Sequence, residues 1–322
     1  MKVVRDIGSF RPSSQPVALT LGFFDGVHRG HQALISELRD AAARIGGTSL
    51  LLTFDSHPFR VVCPDKLPPM ITTLTERLQH LDNLGVEHVV IQSFDREFAE
   101  LSADYFIREL LVRKLRARAV VGGYDTRFGR NREGDHDMLR AYAAREGYEF
   151  DDVAPLEIEG EIVSSTAIRR AIQAGELERA ARLLGRPWTV WSHVVPGRGV
   201  GRHMGFPTAN LEVGYLVMPR NGVYASYIHA QDRVYRGLMY VGTQPTFQRG
   251  VPTTVCEVYL MDFAGDLYEE WLRVEPVTFL RGDTAFDSPD ELRAQIAADV
   301  DKTHSILEDP CGRTSRVCGP SD

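Results

Sequence analysis

The chain has 322 residues, of which 43% are hydrophobic and 25% charged, a balance typical of a globular protein of about two domains. Lysine and arginine total 37 against 44 acidic residues, so the net charge is -7 and no overall basic field exists to hold a nucleic-acid backbone. The apolar runs fall far short of the roughly 20 residues that a membrane span needs, and the N-terminus lacks the apolar core of a secretory signal. We therefore expect a cytoplasmic protein that binds neither nucleic acid nor membranes.

The first half of the chain alternates short apolar runs with segments of helical periodicity. The apolar runs predict strands, at 17–22, 49–54, 88–92, 119–123 and 149–153. Apolar residues at helical spacing predict helices that stop at glycine, at 31–45, 74–84 and 139–146. This alternation predicts a mostly parallel sheet with helices on both faces, and such sheets bind ligands beyond the carboxyl ends of their strands.

The pattern changes near Gly185, after two further predicted helices at 167–174 and 177–184. Short β-type stretches follow, at 189–195, 222–229, 234–242, 253–261 and 271–280. Turn residues separate them, which predicts a small antiparallel barrel or sandwich. A last helix is predicted at 288–299, with Ser288 as N-cap and Pro289 in the first position. We expect domains at 1–186 and 187–304 and a flexible tail at 305–322.

The turn after the first predicted strand of this α/β pattern, GFFDGVHRGH at 22–31, leads directly into a helix. Glycines and a helix N-terminus present backbone N–H groups to an anion. His28 and His31 lie on one side of the first helical turn, where imidazoles can stabilise charge that develops during phosphoryl or nucleotidyl transfer. The alternative is that His28 only caps the helix and His31 packs within it. For the two histidines together we favour a phosphate site.

A second hydroxyl-rich segment, VSSTAIRR at 163–170, precedes a predicted helix. Ser164 and Thr166 can satisfy free N–H groups at a helix start, so plain capping is one interpretation. Capping does not call for Arg169 one turn on, and hydroxyls with a guanidinium can grip a triphosphate. Neither GxxxxGK[ST] nor GxGxxG occurs in the chain, so phosphate chemistry here proceeds without a P-loop lysine.

The second half opens with a glycine-rich stretch, GRGVGRHMGFPTAN at 197–210. Gly199, Gly201 and Gly205 let the backbone approach a ligand closely. Thr208 and Asn210 supply hard oxygen ligands of the kind that Mg²⁺ accepts in phosphate sites. A flexible loop followed by a turn is the alternative, and glycine content alone favours it.

The four cysteines have no metal-binding spacing. Cys63 and Cys256 are expected to be core thiols. For Cys311 and Cys318, in the polar tail, a metal site or a disulfide stays open.

Together these motifs resemble the bacterial bifunctional riboflavin kinase/FAD synthetase (FMN adenylyltransferase) family. In the first half the similarity rests on LGFFDGVHRGH (21–31), FDSHP (54–58), FDREF (94–98), GYDTRFG (123–129) and VSSTAIR (163–169). It implies an α/β N-terminal nucleotidyltransferase domain, Rossmann-like and of the HxGH type, in which His28, His31 and Arg169 are catalytic. The implied ATP- or phosphate-binding residues are Gly22, Phe24, Gly30, Ser164 and Thr166, and the implied flavin- or nucleotide-binding residues are Asp125 and Phe128, although an aromatic there is more often core.

In the second half the similarity rests on GFPTAN (205–210), PRNGVY (219–224), VGTQPTF (241–247) and EVYLMDF (257–263). It implies a C-terminal small antiparallel β-barrel of the riboflavin kinase type. Glu257 is then the catalytic general base. The implied ATP-binding residues are Gly199, Gly201 and Gly205, and the implied Mg²⁺ ligands are Thr208 and Asn210.

The resemblance implies two ATP-dependent reactions, phosphorylation of riboflavin to FMN and adenylyl transfer to FMN, which gives FAD and pyrophosphate. The substrates are small molecules and Mg²⁺ is the implied cofactor. A weak homo-oligomer stays open. Three departures stand out: Thr126 replaces an aromatic, Gln244 an arginine and Tyr259 a histidine. They leave open an enzyme with only one activity, or a flavin- or nucleotide-binding regulatory protein without turnover.

Overall fold

The structure is a computed structural model of the chain, and it describes residues 1–197, 201, 204–244 and 253–310. They fall into two compact units. The first comprises Met1–Pro69 and Leu74–Ser165, and the second comprises Met70–Thr73 and the chain from Thr166 onward. The short segment joins the second unit because Met70 pairs with Leu216. The domain bounds expected from the sequence stay a prediction.

The first unit is built on a parallel sheet with the strand order β1-β4-β3-β2-β5-β6. The strands are β1 (Lys2–Arg5), β2 (Val17–Leu21), β3 (Thr48–Phe54), β4 (His88–Gln92), β5 (Ala117–Gly123) and β6 (Glu149–Val153). All of these except β1 were predicted. The chain runs from β2 outward through β3 and β4, then returns to the other side of β2 as β5. The strand order therefore reverses between β2 and β5, where α/β sheets bind ligands.

Helices cover both faces of this sheet, and successive strand residues alternate between two apolar cores. The helices are α1 (Arg29–Arg44), α2 (Phe59–Val62), α3 (Leu74–Asn83), α4 (Arg96–Ala99), α5 (Ala103–Tyr105) and α6 (His136–Glu146), with a π-helix at Phe106–Lys114 and a hairpin of β7 (Glu157–Ile158) and β8 (Glu161–Ile162). Leu50 packs in the core with Phe106, whereas Leu51 packs in the other core with Leu38 of α1. A parallel sheet buried on both faces requires this arrangement.

The second unit contains a closed antiparallel barrel, which decides between the barrel and the sandwich expected from the sequence. Its elements are α7 (Ser165–Ala174), α8 (Leu177–Leu184), β9 (Val190–Val195), β10 (Thr208–Leu211), β11 (Gly222–Ala230), β12 (Arg233–Gln244), β13 (Thr253–Leu260), β14 (Trp271–Arg281) and α9 (Pro289–Ile306). The strand order is β10-β13-β12-β11-β14-β9, and β9 pairs with β10 to close the barrel. β10 was not predicted, because three of its four residues lie inside the GFPTAN motif.

The last helix, α9, packs against β11 and β12. Ser288 caps it by accepting a hydrogen bond from the Glu291 N–H at 3.3 Å, as predicted. The helix is longer than the predicted 288–299, and Leu307 beyond its end is 4% exposed. The first residues of the expected tail are therefore part of the packed unit.

Two further expectations concern cysteines and membranes. Cys256 is buried as expected, whereas Cys63 is only half-buried. Cys311 and Cys318 lie outside the described residues. Within the described ranges, no helix combines the length and the apolar character that crossing a bilayer would take.

Candidate active sites

The GFFDGVHRGH turn connects β2 to α1 at the carboxyl edge of the sheet. A short 3₁₀ turn, Asp25–Val27, lies within it. Phe24 enters this turn with a left-handed φ of 57°, and its buried ring lies 5.0 Å from the ring of His31. A Cβ on Gly22 would lie 3.0 Å from the Phe24 ring, so this glycine allows the ring to fold back over the turn. Gly22 and Phe24 thus contribute to the conformation of the turn, and their placement does not show a contact with ATP.

His28 and His31 form a stacked pair at the N-terminus of α1. Their ring centroids are 3.6 Å apart at an interplanar angle of 14°. His28 is the N-cap of the helix, because its Nδ1 accepts a hydrogen bond from the His31 N–H at 3.3 Å. A Cβ on Gly30 would lie 3.2 Å from the same Nδ1, so a glycine here leaves room for the imidazole. Capping by His28 is therefore compatible with the predicted role of the two imidazoles at a phosphate.

The environment of His31 favours the neutral imidazole. Burial lowers its pKa well below the ordinary value, and the nearby charges of His28 and Arg77 lower it further. Its Nδ1 is buried, and the described part of the chain offers it no hydrogen-bond partner. A buried polar atom without a protein partner, next to a helix N-terminus, is suited to a bound polar ligand.

The part of the VSST segment that belongs to the first unit, residues 163–165, lies against the same turn. The Ser165 hydroxyl donates to the Asp25 carbonyl oxygen at 3.0 Å, and a Cβ on Gly30 would lie 3.5 Å from the Val163 carbonyl oxygen. Ser164 between them is half-buried. Thr166 and Arg169 lie three residues apart on α7, in the second unit, and the grip on a triphosphate expected of this set stays a prediction.

The loop after β5 begins beside β2, at the strand-order reversal. Asp125 in this loop is exposed and accessible to a ligand, and Thr126 is buried, with its N–H bonded to the Gly123 carbonyl at 3.0 Å. Phe128 is buried in the core, where its ring centroid lies 5.3 Å from that of Phe106. Phe128 therefore packs in the core, and its predicted flavin contact stays a prediction.

Two polar residues near these turns were not predicted from the sequence as part of a site. Arg77 of α3 is 3% exposed and donates to the carbonyl oxygens of Phe23 and Phe54. His136 contacts the Gly123 carbonyl oxygen through Nε2, and its Nδ1 lies 3.0 Å from an Asp152 oxygen. A charged or polar residue on an amphipathic helix ordinarily faces solvent, so no local pattern could have identified either.

In the barrel, the predicted general base and the predicted metal ligands are neighbours. The Thr208 hydroxyl donates to Glu257 Oε2 at 3.1 Å. Asn210 lies directly opposite Glu257 in the pairing of β10 with β13. Because paired residues of an antiparallel ladder point to the same face, the three side chains lie side by side. All three are half-buried, which leaves them open to a ligand.

Two tyrosines flank Glu257, and one of them, Tyr259, departs from the family pattern. Tyr240 lies opposite Glu257 on β12. Burial, a hydrogen bond to Asp283 and the negative charges of Asp283 and Glu257 raise its pKa to about 12. It is therefore a neutral phenol at physiological pH. Tyr259 lies two residues beyond Glu257 on the same face, and its ring centroid is 5.4 Å from that of Phe206.

The glycine-rich loop before β10 is tightly folded where the structure describes it. The Gly201 carbonyl accepts hydrogen bonds from the N–H groups of Phe206 at 2.9 Å and Met204 at 3.1 Å. A Cβ on Gly201 would overlap the Phe206 carbonyl, and Gly205 has a φ of 84°. Both positions thus need glycine. Gly199 and the side chain of Gln244 lie outside the described residues.

Comparisons with known proteins cover both units. A family model of FAD synthetase matches residues 10–167, and one of riboflavin kinase matches residues 184–307. The bifunctional riboflavin kinase/FMN adenylyltransferases of Escherichia coli (strain K12) and Haemophilus influenzae are 38% and 34% identical, over 93% and 95% of this chain and 96% and 99% of theirs. A crystal structure described as a macrolide-efflux protein from Streptococcus pneumoniae has a TM-score of 0.82 and 32% identity, over 94% of this chain and 99% of that one.

Proposed function

Since the chain belongs to the family of bifunctional riboflavin kinase/FMN adenylyltransferases, we propose which of its residues carry each of the two reactions. The protein converts riboflavin to FMN and FMN to FAD, with ATP as the second substrate. We assign adenylyl transfer to the GFFDGVHRGH turn of the first unit, which we call the HxGH turn. We assign phosphoryl transfer to the barrel face around Glu257. The observation that carries the second assignment is the hydrogen bond from Thr208 to Glu257.

In adenylyl transfer, a phosphate oxygen of FMN attacks the α-phosphorus of ATP, the bond from that phosphorus to the bridging oxygen breaks, and pyrophosphate leaves. The attacking phosphate is already ionised at neutral pH, so the protein needs no base for this step. His28, His31 and the N-terminus of α1 stabilise the charge on the phosphates. Ser164, Thr166 and Arg169 are the further phosphate contacts in this proposal, and Asp125 contacts the nucleotide or the flavin.

In phosphoryl transfer, the terminal ribityl hydroxyl of riboflavin attacks the γ-phosphorus of ATP, and ADP leaves. Glu257 accepts the hydroxyl proton. The hydrogen bond from Thr208 occupies Oε2 and so fixes the carboxylate orientation, which leaves Oε1 to face the substrate hydroxyl. Gly199, Gly201 and Gly205 bring backbone N–H groups to the ATP phosphates in this proposal.

The donor atoms beside Glu257 fit a divalent cation. The Thr208 hydroxyl and the Asn210 amide oxygen are hard ligands on one face of the barrel, and Mg²⁺ accepts such ligands together with phosphate oxygens and water. When bound, Mg²⁺ neutralises charge on the ATP phosphates. We propose Mg²⁺ at these two residues and a cytoplasmic location. A weak homo-oligomer stays a prediction from the sequence.

Product analysis tests the two reactions. The purified chain is incubated with riboflavin, ATP and Mg²⁺, and in parallel with FMN, ATP and Mg²⁺, and the flavins are separated by chromatography. FMN and FAD from riboflavin, together with FAD from supplied FMN, are expected. FMN without FAD would point to the departure at Thr126. FAD formed only from supplied FMN would point to the departure at Gln244 or Tyr259.

The Thr208→Val and Thr208→Ser variants test the role of the hydroxyl. Valine keeps the shape and removes the hydrogen bond to Glu257 and the oxygen ligand, whereas serine keeps both. We expect the kcat of FMN formation to fall at least about tenfold in Thr208→Val and to stay within about threefold of wild type in Thr208→Ser. FAD formation from supplied FMN is the internal control. Equal rates in the two variants would remove the hydroxyl from the mechanism.

A further inference from the structure

Arg77 is a buried cation beside the HxGH turn, and no sequence motif includes it. Its Nη1 donates to the Phe23 carbonyl oxygen at 2.7 Å, and its Nη2 donates to the Phe54 carbonyl oxygen at 2.6 Å. The guanidinium carbon also lies 4.4 Å from the centroid of the Phe23 ring. Phe23 belongs to the turn after β2, and Phe54 is the last residue of β3. One side chain therefore joins the ends of two neighbouring strands.

Phe23 is held from the side of β3 as well. Its carbonyl oxygen accepts a second hydrogen bond, from the Thr53 hydroxyl at 3.2 Å. The next residue, Phe24, has the left-handed backbone conformation, and its ring packs on His31. The position of the Phe23 carbonyl thus decides where the turn begins and where its two imidazoles lie.

The charge of Arg77 acts on the same turn. Burial lowers the pKa of Arg77 to about 10, although the charges of Asp25 and Asp55 raise it, so the guanidinium stays protonated at neutral pH. After burial and His28, its charge is the next cause of the lowered pKa of His31. Its positive charge also adds to that of the α1 N-terminus, which attracts anions.

We propose that Arg77 is a positioning residue for adenylyl transfer, which ties the HxGH turn to the end of β3 so that His28 and His31 meet the nucleotide phosphates in a fixed geometry. The inference rests on the proposed role of the two histidines. The planar guanidinium presents its donors in a rigid fork that reaches two carbonyl oxygens at once. A lysine ammonium is a point charge on a flexible stem and cannot reproduce this clamp.

The test compares Arg77→Lys and Arg77→Met in the full chain. Arg77→Lys keeps the charge and loses the fork, and Arg77→Met loses both. For FAD formation from FMN, we expect kcat to fall about 100-fold in Arg77→Lys, because misplaced groups cost about that factor, while the KM for ATP changes less than about threefold. We expect a larger loss of kcat in Arg77→Met.

Titration of the His31 imidazole by NMR separates positioning from a general loss of structure. We expect its pKa to stay low in Arg77→Lys and to rise in Arg77→Met, while FMN formation from riboflavin stays at the wild-type rate in both. A wild-type kcat for FAD formation in Arg77→Lys overturns the proposal, whether or not Arg77→Met folds. A loss of kcat that coincides with loss of the folded His31 resonances also overturns it, because Arg77 then only stabilises the unit.

The His28→Asn variant, measured beside them, distinguishes this inference from the assignment on which it depends. If His28→Asn keeps its rate of FAD formation, the HxGH turn is not the adenylyl-transfer site, and the proposed function of that turn fails. If His28→Asn loses its rate of FAD formation and the Arg77 variants keep theirs, the turn retains its role, and the proposal that Arg77 positions it is wrong.

Discussion

His28 combines two roles that substitution by alanine would remove together. Its Nδ1 caps α1, and its imidazole stacks on His31 in the proposed phosphate site. Asparagine is a good N-cap residue but has no imidazole, so His28→Asn removes only the second role. We expect FAD formation from FMN to fall about 10²- to 10³-fold in both His28→Asn and His28→Ala. Only His28→Ala should also lose about 1 kcal/mol of unfolding free energy.

Rates and thermal unfolding of the two variants check this prediction, and their FMN formation from riboflavin is the control. A wild-type rate of FAD formation in His28→Asn would mean that His28 only caps the helix and takes no part in the reaction. The local-capping interpretation of the sequence would then be the correct one.

His31 should make the first unit sensitive to acid. Its folded pKa is lowered, so the unfolded chain, with an imidazole pKa of about 6.5, binds more protons at mildly acidic pH. The contribution of neutral His31 to stability is therefore complete above about pH 6.5 and is lost as the pH falls through the folded pKa. In His31→Gln we expect amide protection of β2 and β3 to decrease less between pH 7 and pH 5 than in wild type.

Hydrogen-exchange mass spectrometry of peptides from β2 and β3, corrected for the intrinsic pH dependence of exchange, measures this difference. Peptides from the barrel should lose protection equally in both proteins. Parallel losses in the first sheet would mean that the burial of His31 carries no pH-dependent stability.

Helices and strands whose signal is local could be predicted from the sequence. The predicted bounds of β4, β6 and α8 agree with the structure. The helical periodicity of α8 ends at Gly185, a clear stop signal. β10 was missed since its residues also form a chemical motif. The Thr208–Glu257 contact joins residues 49 positions apart, and the contacts of Arg77 depend on the packing of α3, so tertiary structure alone could show them.

An ion pair between β14 and α9 should contribute to the stability of the second unit. Arg281 Nε lies 2.9 Å from Asp299 Oδ2, and the Asp299 side chain is 6% exposed. Asp299 also accepts a hydrogen bond from Gln295 at 3.0 Å. Because Asp299→Ala leaves a half-buried guanidinium without its partner, we expect a loss of about 3 kcal/mol of unfolding free energy. Asp301→Ala, on the exposed face of the same helix, should change it by less than about 0.5 kcal/mol.

Urea unfolding followed by tryptophan fluorescence measures these values, since Trp188, Trp191 and Trp271 all lie in the second unit. Equal midpoints for the two variants would show that α9 is held by its apolar contacts alone. Ile296 and Val300 make those contacts.

The residues assigned to the two reactions form separate sets, and FMN is the product of one reaction and the substrate of the other. Two variants, each lacking one activity, should therefore complement each other when mixed. With riboflavin and ATP, we expect His28→Asn alone to accumulate FMN and Glu257→Gln alone to form almost no product. The mixture should form FAD after a lag, at a rate that rises with the amount of Glu257→Gln.

Chromatography of the flavins follows all three samples, and FAD formation by Glu257→Gln from supplied FMN is the control. If no FAD forms in the mixture although Glu257→Gln converts supplied FMN, the FMN stays bound to the molecule that made it, and the two sites are not independent.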